Sequence, residues 1–203
     1  MPRVSEQHRA TRRAEIITAA VRLFATNGFH ATTMADIIGA AGLSAGAVYR
    51  YFSSKEELIA AVAEEALAAA DETFRDLLAD GAAPPPGRAL AAILAAINDR
   101  IADHPATGFD LTRIGVQVWA EALRSPAVAV RVDEVYRRLR GNFAEVARRW
   151  TLPAGTDPEQ VGAAMLGLAQ GFVVQRLLLA GTDTTGYLAG VTALLAPEDG
   201  RHE

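Results

Sequence analysis

Residues 33–52, TMADIIGAAGLSAGAVYRYF, decide how this chain folds. Thr33 is placed to cap a short helix over 34–41, and Asp36 falls where amino-terminal amides and the helix dipole favour a carboxylate. Gly42 breaks that helix, and Ser44 caps a second one over 45–51. Two short helices joined by a tight glycine turn present the second as a probe for the major groove of a duplex. Ala35, Ile38 and Leu43, with Val48 behind them, have spacings that hold the pair against a preceding helix. The small residues Ser44, Ala45, Gly46 and Ala47 let the start of the probe lie close to a partner. Amides at Thr33 and Ser44 are natural phosphate donors. Tyr49, Arg50 and Lys55 add side-chain donors of the kind that position a duplex without reading its bases.

Working outward, a first helix is expected over 10–26, where Ile16, Ala20, Leu23 and Phe24 recur at helical spacing and Asn27-Gly28 supplies a left-handed stop. Downstream, Ser53 with Glu56, or Ser54 with Glu57, makes a capping box for a long Ala-rich helix ending near residue 79. Asp80-Gly81 and Pro84-Pro85-Pro86-Gly87 cannot continue it. Further helices are expected over 88–103, 109–124, 126–150, 159–180 and 184–196. Ser125-Pro126 and Thr156-Asp157-Pro158-Glu159 mark two of the starts. No stretch alternates in the manner of a strand, so the fold class is all-α. The expected division is a three-helix head over 1–55 and a helical body over 56–203.

Composition agrees with that reading. Half of the 203 residues are apolar and 6% are aromatic, and the abundant Ala, Leu, Arg and Glu have the lowest helix costs. The absence of cysteine excludes disulfides, thiolate metal sites and a cysteine nucleophile. No uninterrupted apolar run reaches the roughly 18 residues of a membrane span, and the amino terminus has no signal-peptide core, so a cytoplasmic protein is expected. Residues 1–55 hold seven Lys/Arg against three acids, a net charge of +4, while the remainder holds thirteen against twenty-one, a net of −8. A basic head on an acidic body points to a polyanion for the head, the alternative being a solvated helix face. His8, Arg9, Arg12 and Arg13 form a basic cluster around the expected start of the first helix. They form either an arm that follows the DNA backbone or minor groove, or a solvated tail.

Here the sequence resembles the TetR family of bacterial repressors. The resemblance rests on Phe24, Asn27-Gly28, Thr32-Thr33, Ile37, Ala41-Gly42-Leu43-Ser44, Gly46, Tyr49, Tyr51-Phe52 and Ser54-Lys55-Glu56-Glu57-Leu58. It covers the first quarter of the chain; the rest agrees in length and helical character. It implies that Thr33, Ser44, Ala45, Gly46, Tyr49, Arg50 and Lys55 face the duplex, with Tyr49 and Lys55 on phosphates. Phe52 and Tyr51 are expected to pack, Thr33 and Ser44 would cap with or without DNA, and Gly46 also suits close packing against the first helix.

The resemblance further implies a homodimer, because one probe helix reads only half a site. The helix over 159–180 is apolar on most sides and carries Leu168, Gly171, Phe172, Gln175 and Leu179 at helical spacing. It serves either as the dimer interface or as the central helix of the body. Val128, Val132, Val135 and Leu139 would lie beside it. A small-molecule effector is expected among Phe74, Phe109, Arg113, Gln117, Trp119 and Gln170, although each of these residues also suits a core. An effector that prefers wrongly spaced heads would release the operator, with the long helix after Lys55 as lever. No cofactor or metal is expected. His8, His30, His104 and His202 lack metal-ligand spacing, and no nucleophile triad or phosphate loop appears, so an enzyme is not expected. The competing reading is a helical ligand-binding or partner-binding protein without operator recognition.

Overall fold

The computed structural model describes residues 6–79, 81, 84–101, 108 and 110–195. Among them are nine α-helices and no strand: α1 (Glu6–Ala31), α2 (Met34–Ala41), α3 (Ala45–Tyr49), α4 (Lys55–Leu78), α5 (Pro86–Ala96), α6 (Leu111–Ala122), α7 (Pro126–Arg149), α8 (Pro158–Leu178) and α9 (Thr184–Leu195). A π-helical turn, Ile97–Ile101, continues α5 within the segment expected as one helix over 88–103, whose last two residues lie outside the described ones.

The starts follow from the capping residues. Asp110 accepts the Thr112 amide at 3.0 Å ahead of α6. Asp157 accepts the Glu159 amide at 2.9 Å, and Pro158 occupies the first turn, where its missing N–H costs nothing. Gly28, at φ 77° and ψ 172°, leaves helical geometry and interrupts α1 at the expected stop, with a short further helical turn running to Ala31.

The chain forms two compact units, one of residues 1–69 and 99–137 and the other of residues 70–98 and 138–203. This differs from the expected division after residue 55. The difference arises because α6 packs on α1, so the helix-turn-helix and α6 share one unit. In that unit Ile16, Ala20, Phe24, Ile37, Val48 and Phe52 are buried, and Phe24 meets Phe29 edge-on at 4.8 Å.

In the second unit α5 packs on α8 and α9. Phe74 and Phe143 meet edge-on at 4.7 Å. Gly162 lets α8 approach α7 closely: a Cβ there would stand 2.7 Å from the Arg140 carbonyl oxygen and 2.8 Å from the Ala144 nitrogen. By length and mean hydropathy α8 is the one helix among the described residues apolar enough to cross a membrane, although Gln160, Gln170, Gln175 and Arg176 interrupt its apolar run. Only 22% of its most apolar window is buried, so much apolar surface stands outside the unit's own core.

Candidate nucleic-acid interface

The interface begins at Thr33. Its hydroxyl donates to Asp36 Oδ2 at 2.7 Å and accepts the Asp36 amide at 3.2 Å, while its own amide donates to the same carboxylate at 2.8 Å. This reciprocal box starts α2. The two Thr33 donors, the hydroxyl first and the amide second, hold the Asp36 carboxyl below its ordinary pKa. Gly42 closes α2 at φ 64° and ψ 27°, the left-handed cap a glycine adopts freely. Ser44 Oγ then accepts the Ala47 amide at 3.3 Å and starts α3.

The probe's first turn is bare. Ser44, Ala45 and Gly46 are exposed, as is Arg50, and Tyr49 is 50% exposed. A Cβ at Gly46 would meet nothing within 4 Å. Close packing against α1 therefore does not explain the glycine. Behind this face Val48 and Phe52 are buried, which anchors α3. Phe52 packs as expected, and Tyr51 is half-buried.

In α2 the buried anchor is Ile37, fully enclosed. Ala35 is exposed and Ile38 only half-buried, so the expected packing face is corrected by one position. The eight-residue helix carries two adjacent isoleucines, and spacing alone does not distinguish them.

The start of α4 divides its box between both serines. Ser54 Oγ accepts the Glu57 amide at 3.2 Å, while the Glu57 carboxylate takes the Ser53 amide at 2.7 Å and the Ser53 hydroxyl at 2.8 Å. Those two donors, the amide first, lower the Glu57 pKa.

Lys55 is half-buried. Its ammonium donates to the Phe29 carbonyl at 2.9 Å and the Thr32 carbonyl at 3.2 Å. Without a duplex, the charge of this lysine, expected to face a phosphate, sits on carbonyls at the end of α1.

The basic cluster is helical. α1 begins at Glu6, so His8, Arg9, Arg12 and Arg13 lie on its first turns and form neither a loose arm nor a tail. Arg12 pairs with Glu15 at 2.7 Å, and the Arg13 guanidinium lies 5.3 Å from the Phe52 ring centroid. Sequence reasoning also missed a polar seam with α6. His30 Nε2 stands 3.3 Å from Glu121 Oε2 and 3.5 Å from Arg124 Nη1.

The expected effector residues are dispersed. Gln117 Oε1 lies 3.9 Å from where a Gly28 Cβ would stand, so it borders α1. Trp119 Nε1 donates to the Tyr136 hydroxyl, and Arg113 is exposed beside Asp110. Phe74 is buried against Phe143, Gln170 is half-buried, and Phe109 lies outside the described residues. A groove of about 490 Å³ between α1 and α2, bordered by Glu15, Arg22, Leu23 and Ala40, contains none of them.

Leu179, the residue just after α8, is 57% exposed, the last helical residue Leu178 is 76% exposed, and Gln175 is exposed. Leu168 is half-buried and offers its carbonyl to the Tyr187 hydroxyl at 2.7 Å. Phe172 is fully buried with Tyr187 at 5.4 Å, which removes it from any surface offered to a second chain. Gly171 likewise faces α9, since a Cβ there would come 3.1 Å from the Tyr187 hydroxyl. The interface expectation is corrected at both positions, because α9 covers that side.

Residues 16–62 match the family model described as bacterial regulatory proteins, tetR family. Residues 86–196, more than half of the chain, match that of the BetI-type transcriptional repressor, C-terminal. The chain is similar to the transcriptional repressor KstR2 of Mycolicibacterium smegmatis, 29% identical over 82% of this chain and 92% of the relative. The regulator YfiR of Bacillus subtilis is 43% identical over 76 residues, 37% of this chain and 36% of that protein. The structure resembles Salmonella enterica GusR with a TM-score of 0.68 and 25% identity, covering 96% of this chain and 99% of the other.

Proposed function

The chain belongs to the TetR family of bacterial regulatory proteins, and from that premise we propose that it is a ligand-responsive transcriptional repressor released from its operator by a small molecule. The observation that carries the reading is the bare first turn of α3. Ser44 caps it, Val48 and Phe52 anchor its back, and the exposed glycine at 46 meets no atom of its own chain. A fold that needed this turn only for packing would enclose it. Ser44, Ala45 and Gly46 then face base edges, and Tyr49 and Arg50 hold phosphates. Thr33 lies beside them with its hydroxyl proton engaged by Asp36.

A homodimer supplies the second probe, about 34 Å away on the next major groove. The second copy covers the exposed apolar residues Leu178 and Leu179 at the end of α8 and Leu194 on α9. An effector acts by its differential affinity for conformations with different head spacing, and linkage requires that DNA reduce effector affinity by the same factor.

The experiment is selection of bound duplexes from a random pool, followed by titration of the winning duplex across salt. The reading predicts saturable binding that weakens steeply between roughly 50 and 200 mM salt, as counterion release demands. Retention of no duplex at low salt would refute it.

A further inference from the structure

We propose that the His30 imidazole is a proton-operated latch between α6 and the end of α1, gripping Glu121 when charged and shared with Arg124 when neutral, and that operator affinity rises as His30 takes up its proton. The operator part rests on the DNA-binding reading above, while the latch itself is a property of the free protein. Nε2 of the ring stands 3.3 Å from Glu121 Oε2 and 3.5 Å from Arg124 Nη1, so one nitrogen has an acceptor and a donor within reach.

One nitrogen cannot serve both partners. The imidazolium donates from Nε2 to the carboxylate and repels the guanidinium. The neutral ring divides between two tautomers: one accepts from Arg124, and the other donates to Glu121 without a charge. Only the charged ring commits to Glu121. His30 lies in the last turn of α1 and Glu121 in the last turn of α6, and both carboxyl ends attract a cation. The Glu121 side chain is only 17% exposed, so its charge is less screened than that of a surface pair, although the His30 side chain is 72% exposed. The other charged groups on the elements beside this end of α1 are already engaged. The Lys55 ammonium of α4 sits on the Phe29 and Thr32 carbonyls, and the Asp36 carboxylate of α2 takes both Thr33 donors. Histidine is the side chain whose charge changes between about pH 5 and 8.

The latch joins two junctions. On α1 it follows the break at Gly28 and precedes Thr33, the cap that starts α2. On α6 the Glu121 carbonyl accepts the amides of Arg124 and Ser125, both at 2.9 Å, which makes the turn into α7. Gln117, one turn earlier on the same face of α6, borders Gly28, so the contact extends beyond a single pair. Closing the latch fixes the segment from which α2 and, through the Gly42 turn, α3 set out. A head ordered before it meets DNA has less freedom to lose on binding, so the charged ring strengthens operator affinity.

The test compares the full-length wild type with His30→Gln and Glu121→Gln at about pH 6 and about pH 8, at one ionic strength. The first readout is amide protection over residues 28–34 without DNA, expressed against the chemical exchange rate at each pH. We expect protection in the wild type to be about three- to fivefold higher at the lower pH, with no such difference in either variant. The second readout is affinity for a duplex selected by the wild type. We expect its ratio between the two pH values to exceed that of both variants by about the same factor. Any contribution of His8 is common to all three proteins and cancels in that comparison. Glu121→Gln keeps the titrating ring and so separates the latch from a mere gain of positive charge near DNA; if it retains the wild-type pH response, the proposal is overturned. Equal protection at both pH values in the wild type overturns it as well. Wild-type binding with the same pH ratio as His30→Gln sinks this proposal alone, whereas a wild type that binds no duplex at either pH sinks the DNA-binding reading itself.

Discussion

Replacing Gly46 by alanine should strengthen the fold and weaken its function, and the two signs together make the test sharp. Gly46 lies inside α3, its φ is not positive, and a Cβ there meets no atom within 4 Å. The methyl group therefore enters open solvent, and the helix gains the glycine-to-alanine difference of about 0.5–1 kcal/mol. For a chain of this length that raises Tm by roughly 1–4 °C. If the same face lies against a duplex, the methyl enters a packed contact at a cost of about 1–3 kcal/mol, comparable to overfilling a core. Affinity then falls by about 5- to 150-fold. The assays are thermal unfolding without DNA and fluorescence anisotropy of a selected duplex at one fixed salt concentration. A variant with raised Tm and affinity within twofold of wild type would refute the reasoning, because the turn would then face away from DNA.

Gly162→Ala should behave in the opposite way. Its Cβ would strike backbone atoms of Arg140 and Ala144, so we expect a loss of about 1–3 kcal/mol or more, read as a Tm lowered by several degrees. Asp36 and Glu57 have folded pKa values below their ordinary ones, so each stabilises the fold above the usual carboxylate range, and that stability is lost as pH falls through the lowered values. Tm measured from neutral pH down to about 3 should therefore drop more steeply below about pH 4.5 for wild type than for Glu57→Gln; parallel curves would contradict the assignment. Leu179→Glu places a charge on the exposed end of α8, and sedimentation should show a dimeric wild type and a dissociated variant; a monomeric wild type would end the α8 proposal.

The parts of the fold set by neighbours in sequence were readable from the sequence. Thr33 with Asp36, Gly42, Ser44 and Asp157-Pro158 each act within four residues, and the helices begin or end where those residues place them. The bare probe was legible for the same reason, since small residues after a cap leave no side chains to bury.

Contacts between distant segments were not legible. Nothing near Lys55 announces that its ammonium reaches Phe29 and Thr32, and nothing near His30 announces Glu121. The packing of α6 on α1 likewise moved the boundary of the first unit away from residue 55. The turned face of α8 has a related cause: a helix apolar on nearly every side carries no stripe to show which side α9 covers, so Phe172 looked as available as Leu179. The early start of α1 was obscured because its first turns, rich in Glu, Gln and Arg, lack an apolar periodicity.

The chain contains no cysteine, so Ala45→Cys creates a single thiol on the exposed first turn of α3. The rate at which a maleimide labels that thiol, with and without a saturating selected duplex, asks directly whether DNA covers the turn. The account predicts labelling slowed more than tenfold by the duplex, while a thiol introduced at the 90% exposed Leu123 labels at an unchanged rate. A variant that binds the duplex and still labels at position 45 as fast as the free protein would contradict it.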